Sequence, residues 1–446
     1  MTMIEEALTR TTDTKACVVG PNTTSQAAAM FRQLFPGKRA IVVADDNTWR
    51  VAGAAVQAAL DADGIPSESA FVFHDPELYA HWDYVLQLKS ALEAVDAVAV
   101  AVGSGVINDL TKFVSDQLGR PYMVVGTAAS MDGYTAYGAS ITKDGIKQTM
   151  NCAAPRGCIV DTQVAAEAPK EMVASGYADL IAKVPAGADW MLADALGIEG
   201  VDDFAWRLVQ GPLRDSLAKP AACAAGDEIE TRKLCEGLVM SGFAMQAIHS
   251  SRPASGTEHQ FSHYWDMEGL CHQGKHVSHG FKVGIGTLAS TAALEFLLEQ
   301  DLSNLDVEAC VAAWWPDYET LAATFPSVFP NRPAHVTRAL AEMKVKFPSK
   351  EALRDELNRA KAAWPTLAPK IREQIMSFDE VHAALKAVGA PCEPEQIGID
   401  RARFRETFRG VPYMRTRWFS LDLLCRIGKF EALLERLFGP NGIWAI

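Results

Sequence analysis

The chain has 446 residues, enough for two or three domains, and its 49% hydrophobic content allows a full globular core. Asp and Glu number 55 against 42 Lys and Arg, a formal net charge of −13. That balance argues against a nucleic-acid surface, which usually needs a basic face, but it leaves room for a small anionic substrate in a locally positive pocket.

The N-terminus, Met1-Thr2-Met3-Ile4-Glu5-Glu6, is acidic and has no basic segment leading into an apolar one, so no signal peptide is expected. No run of about 18 apolar residues is evident, so no membrane span is expected either. Nine cysteines are scattered singly without a Cys-x-x-Cys, the usage of reduced thiols in a cytoplasm. Residues 1–150 then alternate strand and helix patterns. Ala16–Gly20, Arg39–Asp46, Glu68–Phe73, Asp96–Val102 and Pro121–Gly126 read as strands, and Thr48–Ala62 and Tyr84–Leu92 as helices. Continuously apolar strands imply burial on both faces and a parallel sheet between helix layers. Ala153–Pro169 reads as a linker holding one short strand, Cys158-Ile159-Val160. Beyond it the spacing is helical over 171–196, 231–250, 286–299, 307–323, 334–347, 349–363, 378–388 and 421–437. The expected architecture is a Rossmann-like α/β domain over 1–162 and an α-helical domain over 163–446.

Two loops follow neighbouring strands. Gly103-Ser104-Gly105, with Asp109 close behind, precedes a helix whose positive N-terminus suits a pyrophosphate. Thr127 and Ser130, in Gly126-Thr127-Ala128-Ala129-Ser130, place hydroxyls after the next strand. Asp45 ends an earlier strand. It is either a ribose-binding carboxylate, which favours NAD(H) over NADP(H), or a helix-capping residue.

Three distant stretches offer metal ligands. Gly176-Tyr177-Ala178-Asp179 places an acid among apolar residues, which is costly unless the acid is paired or ligating. His259 and His263 share a helical face at i,i+4. His276 and His279 lie in His276-Val277-Ser278-His279-Gly280, and five of the ten histidines fall between 259 and 279. One carboxylate with two imidazoles and open positions is the ligand set of a catalytic divalent metal.

The motifs together are Gly-Ser-Gly-x-x-x-Asp, Thr-Ala-x-Ser-x-Asp-Gly, Gly-x-x-Asp, Glu-His-x-x-x-His and His-Gly. With the segment Arg415–Asp422, they resemble the glycerol-1-phosphate dehydrogenases, and within them the bacterial branch often named for an arabinose-operon gene. That family belongs to the dehydroquinate-synthase-like and iron-containing alcohol dehydrogenase superfamily. The resemblance implies a dehydroquinate synthase-like fold with the active site in a cleft between the domains. It implies Asp179, His259 and His279 as ligands of one divalent ion, zinc, nickel or iron. Gly103–Asp109 and Thr127–Ser130 would bind NAD(H) or NADP(H), and Asp132 and His263 would touch a small phosphorylated substrate. The implied reaction is reduction of dihydroxyacetone phosphate to sn-glycerol 1-phosphate. His263, whose imidazole ordinarily titrates near neutral pH, would deliver a proton. A dimeric cytoplasmic enzyme is expected.

Two positions depart from the family pattern. Ala136 stands where a cofactor-contacting Ser is usual, and Phe281 where an acid often follows the His-Gly pair. They leave open another polyol or sugar-phosphate dehydrogenase, a dehydroquinate synthase-like enzyme, or a ligand-binding protein without turnover.

Overall fold

A computed structural model describes residues 2–143, 146–314 and 317–446. Packing divides the chain into two compact units. The first comprises Met1–Leu180, Asp203–Ala254 and Ala387–Ala390, and the second Ile181–Asp202, Ser255–Lys386 and Pro391–Ile446.

The first unit is built on six parallel strands: β1 (Ala16–Gly20), β2 (Arg39–Asp45), β3 (Phe71–Phe73), β4 (Ala97–Gly103), β5 (Tyr122–Gly126) and β8 (Gly157–Asp161). Their order is β1-β8-β5-β4-β2-β3. Every residue of β4, β5 and β8 is buried, as continuously apolar strands require when helices cover both faces. Val42, Val100, Val102, Met123, Val125 and Ile159 form one face, packed against Phe31, Val56 and Leu60. A separate antiparallel pair, β6 (Ala139–Lys143) and β7 (Ile146–Met150), follows β5.

The segment read as a linker is a correction. Its short strand is β8, paired with β1 on one side and β5 on the other. The helices between Asp203 and Ile248, which the sequence placed beyond residue 163, pack in the first unit.

Among the described residues the second unit is helical apart from the small pair β9 (Cys271–His272) and β10 (Lys275–His276). Phe261, Phe404, Phe408, Phe438 and Trp444 interlock, with Phe404 and Trp444 centroids 4.8 Å apart. The helix His279–Leu298 is a mostly buried core helix of membrane-like composition. It is long and apolar enough to cross a bilayer by length and composition, because Gly, Ala, Ser and Thr replace charge along it. Most of its positions are buried in the protein.

Candidate metal centre and nucleotide loops

In the first unit, β4 runs into Gly103, and the helix Gly105–Gln117 starts two residues on. Thr127 N–H donates to Gly103 O at 3.2 Å, so the loops after β4 and β5 are joined. Tyr134 Oη reaches Ala128 O at 2.9 Å and ties in the chain beyond Ser130. This brings Gly103, Ser104, Gly105, Thr127 and Ser130 to adjoining strand ends. Asp109 points elsewhere: its Oδ2 accepts from Ser140 N–H at 3.1 Å, and burial raises its pKa against the opposing pull of Lys112. Asp45 Oδ1 accepts from Asn47 and Thr48 N–H at 2.9 and 2.8 Å, the helix cap of the two readings.

Asp179 lies on the helix Lys170–Ile181 and is wholly buried. The Gly176-x-x-Asp179 spacing has a steric reason. A Cβ on Gly176 would lie 1.9 Å from Ala129 O, so only glycine lets this helix rest on the loop after β5. One turn later, Asp179 Oδ2 accepts from Asp132 N–H at 3.0 Å. The Asp132 carboxylate in turn accepts from Ser241 Oγ at 2.9 Å.

In the second unit, His259 and His263 sit one turn apart on the helix Thr257–Met267, with ring centroids 6.4 Å apart. His279 opens the next long helix, its ring centroid 5.4 Å from that of His259. Ser262 Oγ lies 3.5 Å from His279 Nδ1. His259 Nδ1 lies 2.8 Å from Glu258 Oε1. His272 and His276 lie apart, on β9 and β10, where His276 faces Cys271 Sγ at 3.4 Å.

His259 and His279 bring two imidazoles together in the second unit, and Asp179 is a buried carboxylate of the first. One carboxylate and two imidazoles suit a borderline divalent ion such as zinc, nickel or iron. Hydrogen bonds that fix the ligands from behind, at Asp179 Oδ2 and His259 Nδ1, are what such a centre requires. The donor set therefore fits the implied ion.

His263 departs from expectation. Burial, then the charge of Arg415, holds its pKa well below the ordinary imidazole value, and Asp266 only partly offsets them. Its resting form at pH 7 is neutral. Of the lysines near the motifs, Lys282 is buried and donates to Asp266 at 2.5 Å, and Lys275 is exposed on β10. Phe281 is half-buried and Ala136 buried.

Two residues carry parts of this arrangement that sequence reasoning missed. Lys112 is fully buried, and its ammonium donates to the carbonyls of Gly133, Ala136 and Gly138 at 2.9, 2.8 and 3.0 Å. It gathers the Asp132 loop like a bound cation. Spacing gave no signal: the neighbours of Lys112 on its helix face are Asn108, Asp109, Ser115 and Asp116, all polar. The other is Glu258, quoted within a motif but given no role.

A parallel α/β sheet with paired strand-end loops is the architecture of a dinucleotide-binding domain. Residues 18–169 match the family model for iron-containing alcohol dehydrogenase. The chain is 33% identical over 435 residues to a glycerol-1-phosphate dehydrogenase [NAD(P)+] of Bacillus licheniformis, covering 95% of this chain and 92% of that one. It is 30% identical over 392 residues to the enzyme of that name from Geobacillus stearothermophilus, covering 86% and 85%. In fold it is similar to a probable glycerol dehydrogenase from Sinorhizobium meliloti, with a TM-score of 0.59, 14% identity, and coverage of 95% and 98%. The chain belongs to the glycerol-1-phosphate dehydrogenase family and is a dehydrogenase of that family.

Proposed function

We propose that this dehydrogenase reduces dihydroxyacetone phosphate to sn-glycerol 1-phosphate in the cytoplasm, consuming NADH or NADPH and one proton. The observation that carries the reading is the imidazole pair of His259 and His279, ring centroids 5.4 Å apart, with the buried carboxylate of Asp179 as the third donor. Asp179, His259 and His279 would hold a divalent ion, which would supply Lewis-acid polarisation of a substrate carbonyl.

The chain's own residues have separable tasks. The amides at Gly103–Gly105 and the hydroxyls of Thr127 and Ser130 bind the dinucleotide; Asp45 and Asp109 contribute through loop shape, since hydrogen bonds of the fold engage their carboxylates. Asp132 accepts a hydrogen bond from a substrate hydroxyl, its carboxylate oriented by Ser241. His263 passes a proton from solvent to the oxygen that becomes the product hydroxyl. Its neutral resting form makes it a relay rather than a stored acid.

The test follows NADH and NADPH absorbance with dihydroxyacetone phosphate. EDTA-stripped protein is compared with protein given Zn²⁺, Ni²⁺ or Fe²⁺. Turnover is expected only with metal, and Asp179→Ala and His259→Ala should lose both bound metal and activity. Full activity in metal-free Asp179→Ala protein would sink the proposal.

A further inference from the structure

Glu258 is the second residue of the helix Thr257–Met267, and its side chain has no solvent exposure. A buried carboxylate is costly unless its charge is compensated. Oε1 accepts from Gly256 N–H at 2.6 Å and meets His259 Nδ1 at 2.8 Å. Oε2 is buried and has no hydrogen-bond partner among the described residues. A capping role alone accounts for the Gly256 contact but leaves half of a buried anion without a match.

The surroundings leave the carboxylate little freedom. Asp189, also buried, accepts from Thr257 N–H at 2.7 Å and Ser420 N–H at 2.8 Å, fixing the start of the helix. A Cβ on Gly256 would lie 2.7 Å from Asp189 Oδ2 and 2.9 Å from Glu258 Oε2. A Cβ on Gly286, in the helix that begins with His279, would lie 2.2 Å from Glu258 O. Two glycines therefore close the protein down on Glu258 from both sides.

An ionised carboxylate only accepts hydrogen bonds, so with Glu258 ionised the 2.8 Å contact would put the imidazole proton on Nδ1 and leave Nε2 as the unprotonated nitrogen. We infer that Glu258 is the positioning residue of the metal centre: it selects Nε2 of His259 as the ligand atom, fixes the ring plane, and lends its negative charge to the cation held there. This rests on the metal reading of Asp179, His259 and His279. The positive charge that compensates Glu258 is then the ion itself, reached through the imidazole.

The experiment measures Zn²⁺ affinity by competition with a chromogenic chelator for the wild type, Glu258→Gln and Glu258→Ala, alongside thermal unfolding of each metal-free protein. Glu258→Gln keeps the shape and an acceptor but removes the charge. It should bind Zn²⁺ roughly 10–100-fold more weakly, the usual cost of losing a partner behind a ligand histidine. Its metal-free melting temperature should stay near that of the wild type, which a purely structural role would not leave in place. Should Glu258→Ala fail to fold, the Gln variant decides alone. Wild-type Zn²⁺ affinity in folded Glu258→Gln overturns the inference while leaving the metal reading intact. No Zn²⁺ binding by the wild type overturns both.

Discussion

A histidine one turn past a metal ligand is under two opposing pressures. His263 is drawn towards its charged form by Asp266 and away from it by burial, Arg415 and the rings of His259 and His279. The second set wins, so the folded protein holds a neutral ring where a free imidazole would be partly protonated at pH 6.5. A neutral ring beside a cation site does not repel the cation, and it can take a proton at one nitrogen while releasing one at the other. His263→Gln should therefore retain the metal at the wild-type stoichiometry while kcat falls by about 10²-fold, the lower end of general acid–base contributions. Metal content by atomic absorption and steady-state kinetics on the same preparation check this. An unchanged kcat would remove His263 from the chemistry, and loss of metal would make it a ligand-shell residue instead.

At the scale of elements, the strands were legible because burial on both faces leaves an uninterrupted apolar run, as in β4 and β5. Helix ends were less so. The pattern over 349–363 stops before Pro365, yet the helix Lys350–Gln374 continues through Pro365 and Pro369. The run 421–437 is two helices, Ser420–Arg426 and Phe430–Phe438, parted at Gly428 with φ +67°. The run 307–323 likewise divides into Val307–Ala313 and Tyr318–Ala322, with Asp317 capping the second through Thr320 N–H. Apolar periodicity records which face is buried, and a turn that preserves that face passes unseen. Close backbone approach is equally invisible. Gly176 shows as a motif letter, but its reason is Ala129 O, 47 residues earlier in the sequence. Gly176→Ala is expected to push the helix Lys170–Ile181 off the loop after β5 and break the bond from Asp132 N–H to Asp179. Overpacking of this kind costs about 1–3 kcal/mol. The variant should unfold at lower urea and retain less than the wild-type metal. Equal urea midpoints would show that the loop yields without cost.

Across the whole molecule, Asp179, His259 and His279 stood out in the sequence as candidate ligands because metal chemistry restricts such groups to a few side-chain types at recognisable spacings. The groups that hold them could not. Lys112 acts on carbonyls 21 to 26 residues away, which have no side-chain signature. Glu258 matters only once the fold has buried it. The metal reading also has a consequence for global stability. An ion that binds the folded chain and not the unfolded one adds RT ln(1 + [M]/Kd), about 2.7 kcal/mol when free metal is 100 times Kd. EDTA-stripped protein should melt several degrees below the Zn²⁺-loaded form, and Zn²⁺ should restore the higher transition. In Asp179→Ala the same addition should leave the thermogram unchanged, because two imidazoles without the carboxylate form an incomplete ligand set. If wild-type protein showed the same thermogram with and without Zn²⁺, Asp179, His259 and His279 would be neighbours without a common ion, and the proposed carbonyl chemistry would lose its centre.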